Sequence, residues 1–287
     1  MKQKLKIAFV DFWSNLGQDY KSAILRPFEN NYDVEEVTDA ADIALCSCFG
    51  NNHEKVNARK KVFVCGENKA TDFSKYDYAL TTIKEDNPKS FYWPEGVRTS
   101  HLLKGNNTPV TDSLCARGFC TFLARNKQIG NGAKLRTETV QFFSSKYKSI
   151  TCPGRVNNTV QIEGFNNGDW RQKKLDYIAK FKFNIAYENS YGPGYITEKL
   201  IDCYLAKTVP IYWGSNGDVH PFPKESMICA NDYTSKSSLL ERIKEVDNDP
   251  EQYMAILRAN PFLPENRHML PDWDAEVAAF CKQIVEV

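Results

Sequence analysis

Short β-branched and aromatic runs, each bounded by polar turns, recur through the first hundred residues. They are LKIAFVDF from Leu5, YDVEEV from Tyr32, DIALCSCF from Asp42, KVFVCGE from Lys61, YDYALTT from Tyr76 and SFYW from Ser90. Runs of this kind predict strands, and helical spacing intervenes over residues 19–28. The polar stretch KGNNTPVTDS (104–113) has turn residues and no periodicity, which predicts a linker. The alternation then restarts. GFCTFLAR is a predicted strand, 133–147 a helix, KSITC a strand, PGRVNN a loop and 169–181 a helix.

The clearest unit follows. FNIAYE predicts a strand, NSYGPG a tight turn, YITEKLIDCYLAK a helix and TVPIYWG a second strand. Ile196, Leu200, Ile201, Tyr204 and Leu205 form one apolar helix face, as a right-handed parallel crossover requires. Further helices are predicted over 237–246, 251–259 and 272–285. The pattern therefore predicts an α/β protein of two Rossmann-like domains with mostly parallel sheets. Their bounds fall at 1–108 and 109–270, and 271–287 forms a C-terminal helix that can pack back on the N-terminal domain.

Composition narrows the function. Lys plus Arg number 37 against 36 Asp plus Glu, a formal net charge of +1, which argues against nucleic acid as a partner but leaves room for a local phosphate pocket. No apolar run approaches the roughly 18 residues of a membrane span. Asp11 interrupts the only apolar stretch near the start, so no signal peptide is expected there. A cytoplasmic location follows as the expectation, with peripheral association at the inner membrane left open. The nine cysteines are spread along the chain without a CxxC pair and are read as reduced structural thiols.

Ligands of open parallel sheets bind beyond the carboxyl ends of the strands, at the start of the following helix. Residues 188–199 occupy such a place: Gly192 and Gly194 flank Pro193, and the helix N–H groups would face an anion. Lys199 lies in the first turn, against the helix dipole, which suits a bound phosphate. Tyr195 can donate to the same group. Alternatively, Lys199 is a solvated charge paired with Glu198 or Asp202. Neither a Walker loop nor the dinucleotide glycine spacing is present. The residues alone thus lead to a phosphate-binding βαβ unit.

The run FNIAYENSYGPGYITEKLIDCYLAKTVPIYWGS resembles the signature of the α1,3/4-fucosyltransferases, especially the short bacterial ones. GENKATDFSKYDYAL (66–80) is similar to that family's Gly-Glu-Asn motif, and RGFCTFLARN (117–126) to the strand opening its donor domain. The resemblance implies the GT-B arrangement, two Rossmann-like domains facing a central cleft, the N-terminal one binding acceptor and the C-terminal one GDP-fucose. It implies an inverting glycosyltransferase that moves L-fucose from GDP-β-L-fucose to the 3- or 4-hydroxyl of GlcNAc or Glc in lactosamine-type glycans. The products would be Lewis-type structures, with lipopolysaccharide or capsule as acceptor settings.

By position, Asn189, Tyr195, Glu198 and Lys199 match donor-site residues. Lys199 and Tyr195 would hold the diphosphate, Glu198 the ribose hydroxyls, and Asn189 the donor. Arg155, in PGRVNN, is carried over with Asn157 two positions on, where some relatives have their arginine; Arg125 is left without a role. Glu67 is the candidate general base, with burial at a strand end expected to raise its pKa. Trp13, Tyr92 and Trp93 (with Phe12 beside them) are candidate acceptor-stacking residues, against core packing for each. His53 and His101 show no visible partner.

No cofactor is expected. Lys199, Arg155 and the helix N-terminus would stabilise the leaving diphosphate without a metal. The two Asp-x-Asp triplets, 247–249 and 272–274, are read as a helix end and a helix cap. Two other readings stay open: a GT-B transferase using another sugar nucleotide, or a nucleotide-binding module that has lost transfer.

Overall fold

A computed structural model describes residues 2–14, 16–124, 131–162, 170–215 and 218–287. The chain divides into two units, Met1–Leu102 with Pro271–Val287, and Leu103–Leu270.

In the first unit six parallel strands follow the order β2-β1-β3-β4-β5-β6. They are β1 (Gln3–Val10), β2 (Tyr32–Glu36), β3 (Ala41–Cys46), β4 (Ala58–Cys65), β5 (Tyr78–Thr81) and β6 (Ser90–Tyr92). Ile7 lies opposite Ile43, Leu45 opposite Val62, and Val64 opposite Leu80, so apolar side chains stack across the sheet centre. The edge strand β2 reads YDVEE and exposes its acidic residues, charge that keeps a free edge from pairing with another chain.

Helix α1 (Gln18–Glu29) buries Ala23, Ile24, Leu25 and Phe28. Beyond it the strict strand–helix alternation fails. The connections after β2, β3 and β4 are loops or a single 3-10 turn, and α2 (Glu95–Ser100) has only six residues. Those linkers carry no 3.6-residue apolar stripe, so they have nothing to pack as a helix.

The last helix, α8 (Trp273–Glu286), belongs to this first unit. Lys60 Nζ donates to Ile284 O at 2.7 Å, Arg26 pairs with Asp274, and Phe280 packs on Tyr78 and Phe91.

The second unit has four parallel strands in the order β10-β9-β8-β7. These are β7 (Gly118–Thr121), β8 (Phe181–Tyr187), β9 (Val209–Trp213) and the two-residue β10 (Ile228–Cys229), which the sequence pattern did not predict. KSITC, expected as a strand, makes only one bridge, Thr151 to Thr121. Its helices are α3 (Asn131–Lys146), α4 (Trp170–Ile178), α5 (Glu198–Ala206), α6 (Lys236–Asn248) and α7 (Pro250–Arg258). Phe143, Leu240, Ile243, Tyr253 and Leu257 pack with Phe183, Ile185 and Ile211 in one core, while Leu175, Ile178 and Ala206 form a second. All nine cysteines are free thiols.

Candidate active site

The carboxyl end of β8 and the start of α5 build a compact ionic cluster. Gly194 takes φ +64°, a left-handed conformation that lets the chain double back before the helix. Helix α5 begins at Glu198, so Tyr195 lies in the entry turn rather than in the helix expected from 195 onward.

The N-cap residue Thr197 does not cap α5 with its side chain. Its hydroxyl donates to Glu188 Oε2 at 2.8 Å, and its backbone N–H donates to Glu188 Oε1 at 2.8 Å. The Glu188 carboxylate, and not the Thr197 side chain, thus takes the N–H at the helix start, where the positive end of the helix favours an anion.

Lys199 is no solvated charge. Its ammonium lies 3.1 Å from Glu188 Oε2 and 3.4 Å from Glu198 Oε1, and it donates to Thr197 Oγ1 at 2.8 Å. Asp202, the other suggested partner, is taken by Lys174 at 2.8 Å and Arg171 at 3.1 Å. Lys174 also approaches Glu198 at 3.6 Å.

Burial works against the Lys199 charge, yet Glu188 and Glu198 hold its pKa above the ordinary lysine value. Burial pushes the wholly enclosed Glu188 up, and Lys199 draws it back only in part. For Glu198 burial is outweighed by Lys199, Lys174 and Arg171, which keep its carboxylate ionised well below the usual range. An ionised Glu198 is an acceptor only, suited to ligand hydroxyls.

Tyr195 is buried and its hydroxyl donates to Asn189 Oδ1 at 3.2 Å, which Ser190 Oγ also reaches at 3.2 Å. With that oxygen engaged, Asn189 offers its NH₂ group. Gly132 N donates to Asn189 O at 2.9 Å, and a Cβ at Gly132 would stand 2.2 Å from Glu188 O. This close approach brings the first turns of α3 against the site, and with them Arg136, whose charge acts on Glu188 and Glu198. Sequence reasoning missed Arg136, Arg171, Lys174 and Glu188. Glu188 was in plain view beside Asn189; the cations come from other helices, and only the i, i+3 spacing of Arg171 and Lys174 hinted at a shared face.

The PGRVNN loop is held by Val156 N donating to Ala124 O at 3.2 Å. Arg155 is exposed, and Asn157, at φ +51°, donates to Thr137 O at 3.3 Å. Arg125 lies outside the described residues.

In the first unit Glu67 stands two residues beyond β4 with its side chain exposed, so the expected burial is absent. The loop turns outward after Cys65, which places Glu67 past the sheet edge. Arg98, which reaches the Cys65 carbonyl two residues before Glu67, has no exposed surface. Its guanidinium donates to Cys65 O at 3.0 Å, Leu80 O at 3.1 Å and Trp93 O at 3.0 Å. One cation thus ties together the carbonyls at the ends of β4, β5 and β6 and anchors the residue that leads into Gly66–Glu67. Nothing in WPEGVRTS signalled this.

Trp93 is 1% exposed and lies against Arg98, so it is a core residue and not a sugar platform. Tyr92, which strand alternation turns to the other face, is half-buried with Lys84 near its ring. Trp13 is exposed. His53, expected to lack a partner, is buried and its Nδ1 meets Asp11 Oδ2 at 2.8 Å.

Both Asp-x-Asp triplets have structural partners. Asp247 is held by Lys148, Lys182 and Tyr147, and Asp249 caps α7 ahead of Pro250. Asp272 caps α8. Among the described residues no cluster of three His, Cys, Asp or Glu forms a metal site, and no helix is long and apolar enough to cross a membrane.

Each unit is a parallel α/β sheet, and the second carries an ionic cluster at the start of a crossover helix, the fold class of the GT-B proteins. The family model for glycosyltransferase family 10 (fucosyltransferase), C-terminal part, matches residues 131–285, and that for the α-(1,3)-fucosyltransferase FucT N-terminal domain matches residues 7–95. The chain belongs to glycosyltransferase family 10, the fucosyltransferases.

It is 26% identical over 299 residues to the Helicobacter pylori α-(1,3)-fucosyltransferase FucT, covering 90% of this chain and 60% of that protein. With human 4-galactosyl-N-acetylglucosaminide 3-α-L-fucosyltransferase 9 it shares 38% over 164 residues, 55% of this chain and 45% of the relative. The chain thus spans three-fifths or less of the length of these relatives. A crystal structure of an α1,3-fucosyltransferase with GDP-fucose matches with a TM-score of 0.77 at 23% identity, over all of this chain and 92% of that one. Anabaena HepE in complex with UDP and glucose matches at 0.56 and 10%, over 98% of each chain. These structures share the fold.

Proposed function

We propose that the chain transfers L-fucose from GDP-β-L-fucose to the 3- or 4-hydroxyl of GlcNAc or Glc in a lactosamine-type glycan, with inversion at the anomeric carbon. The observation that carries this reading is the Lys199–Glu188–Glu198 cluster at the uncapped start of α5. Around the start of α5 four cations, Lys199, Lys174, Arg171 and Arg136, outnumber the carboxylates Glu188, Glu198 and Asp202, which leaves positive charge there for a diphosphate. The family membership and the GDP-fucose named with a structural neighbour support the donor.

In the reaction an acceptor hydroxyl oxygen bonds to fucose C1 as the bond from C1 to the phosphate oxygen breaks and GDP departs. Glu67 takes the hydroxyl proton; its exposed carboxylate is free to reach an incoming alcohol. Lys199 and the α5 N–H groups take up the charge growing on the diphosphate. Tyr195 and Asn189 orient the donor, Glu198 accepts from the ribose, and Arg155 reaches a phosphate oxygen from its loop.

The test is transfer to lactose, lacto-N-biose and N-acetyllactosamine with EDTA present, comparing GDP-fucose with UDP- and ADP-sugars. Turnover with GDP-fucose alone supports the reading. Turnover only with the other nucleotides, or loss of turnover in EDTA, overturns it.

A further inference from the structure

The first unit carries an exposed aromatic pair at a telling position. The chain leaves β1 for β2 on one side and returns to β3 on the other, so the strand order reverses between β1 and β3. Ligands of open parallel sheets enter at such a reversal, beyond the carboxyl ends. Trp13 stands three residues past β1 and Phe49 three past β3. They are 38% and 52% exposed, and their rings meet edge-on at 5.7 Å and 85°. Tyr20 backs Trp13 at 5.0 Å.

A mobile loop would tuck Phe49 inward. This one is pinned. Ser47 N donates to Val10 O at 2.9 Å and Phe49 N to Asp11 O at 3.0 Å. Asp11, at φ +59°, receives Asn52 N and His53 N at 2.8 Å each and faces His53 Nδ1 at 2.8 Å. A Cβ at Gly50 would stand 2.4 Å from Asp11 Oδ1, so the loop closes only around glycine. A buried carboxylate is thus committed to presenting two aromatic rings to solvent.

Ser14, Asn51 and Asn52 beside them are exposed, a hydroxyl and two carboxamides. A hexose has an apolar C–H face and hydroxyls around its edge, and both find partners here. Strands lie about 4.8 Å apart. Glu67 follows β4, the neighbour of β3, so it shares this edge about two strand widths from Trp13.

We propose that Trp13 and Phe49 form a stacking platform for the neutral hexose next to the reacting sugar of an oligosaccharide acceptor. The identity of that acceptor rests on the fucosyl-transfer reading; the platform itself does not.

Trp13→Ala and Phe49→Ala, singly and together, test it with N-acetyllactosamine and with the monosaccharide GlcNAc as acceptors. Each single change should raise the KM for N-acetyllactosamine roughly tenfold, leaving the KM values for GlcNAc and GDP-fucose and the melting temperature in place. Equal effects on the two acceptors, or none, overturn the platform and leave the transfer reading standing. Saturation-transfer NMR with N-acetyllactosamine and no donor decides the matter separately. Saturation concentrated on the galactose protons, and lost in the variants, upholds the platform even for a chain that transfers no fucose. Saturation absent from galactose rejects it.

Discussion

The carboxyl edges of the two sheets are built on opposite principles. At the end of β8 the second unit assembles Lys199, Lys174, Arg171 and Arg136 around Glu188, Glu198 and Asp202, so the chemistry is charge on charge, largely shielded from water. At the ends of β1, β3 and β4 the first unit shows rings, carboxamides and one outward glutamate, with its charged groups, Asp11 and Arg98, spent on holding backbone in place. The difference follows the ligands each edge would take. A diphosphate needs compensating charge fixed in advance; a neutral sugar needs shape and a carboxylate free to accept a proton.

The sharpest way to separate the edges is Glu67→Gln. Turnover should fall about 10²- to 10⁴-fold, with GDP affinity unaltered, because the residue sits on the other sheet. A parallel loss of GDP affinity in calorimetry would undo the division of labour.

Lys199→Met strikes the ionic edge. It leaves Glu188 enclosed without its ammonium partner, and should cost about 3–5 kcal/mol of stability by chemical denaturation. Adding Glu188→Gln should recover most of that loss.

Asp11→Ala tests the first edge. It strands the buried His53 N–H, the part-buried Asn52 N–H and His53 Nδ1, for about 2–3 kcal/mol. Burial alone would raise the Asp11 pKa, but the hydrogen bonds from His53 and Asn52 outweigh it and hold the value below the ordinary one. The contribution of Asp11 is therefore complete above about pH 4 and is lost as pH falls through the lowered value. Wild type and variant should differ by a constant amount at neutral pH and converge in acid; a gap that widened in acid would contradict the pairing.

The smallest effect is expected from Arg155→Ala. Its exposed side chain should leave the melting temperature unchanged and weaken GDP no more than about tenfold.

What could be read in advance follows the same contrast. The ionic edge lies in one contiguous stretch: strand, turn and first helical residues between Glu188 and Lys199 each have a local cause, and the resemblance drawn from them is matched by the family models. Arg136 and Lys174 join it only through tertiary packing. The first edge was far less legible. Asp11 and His53 are 42 residues apart and meet because β1 and β3 are neighbours. Trp93 was grouped with Tyr92, although alternation sends the two to opposite faces. Buried Arg98 had no motif at all. Most predicted strands form because central strands are apolar on both faces, whereas KSITC makes a single bridge and β10 is too short to leave a pattern.

The most direct test of the central claim is a calorimetric titration of GDP and of guanosine into wild type and the Lys199→Met/Glu188→Gln double variant. The account predicts that the folded double variant loses at least tenfold in GDP affinity while its guanosine affinity matches wild type. Equal GDP affinity in the two proteins would show that the diphosphate is held somewhere other than the start of α5.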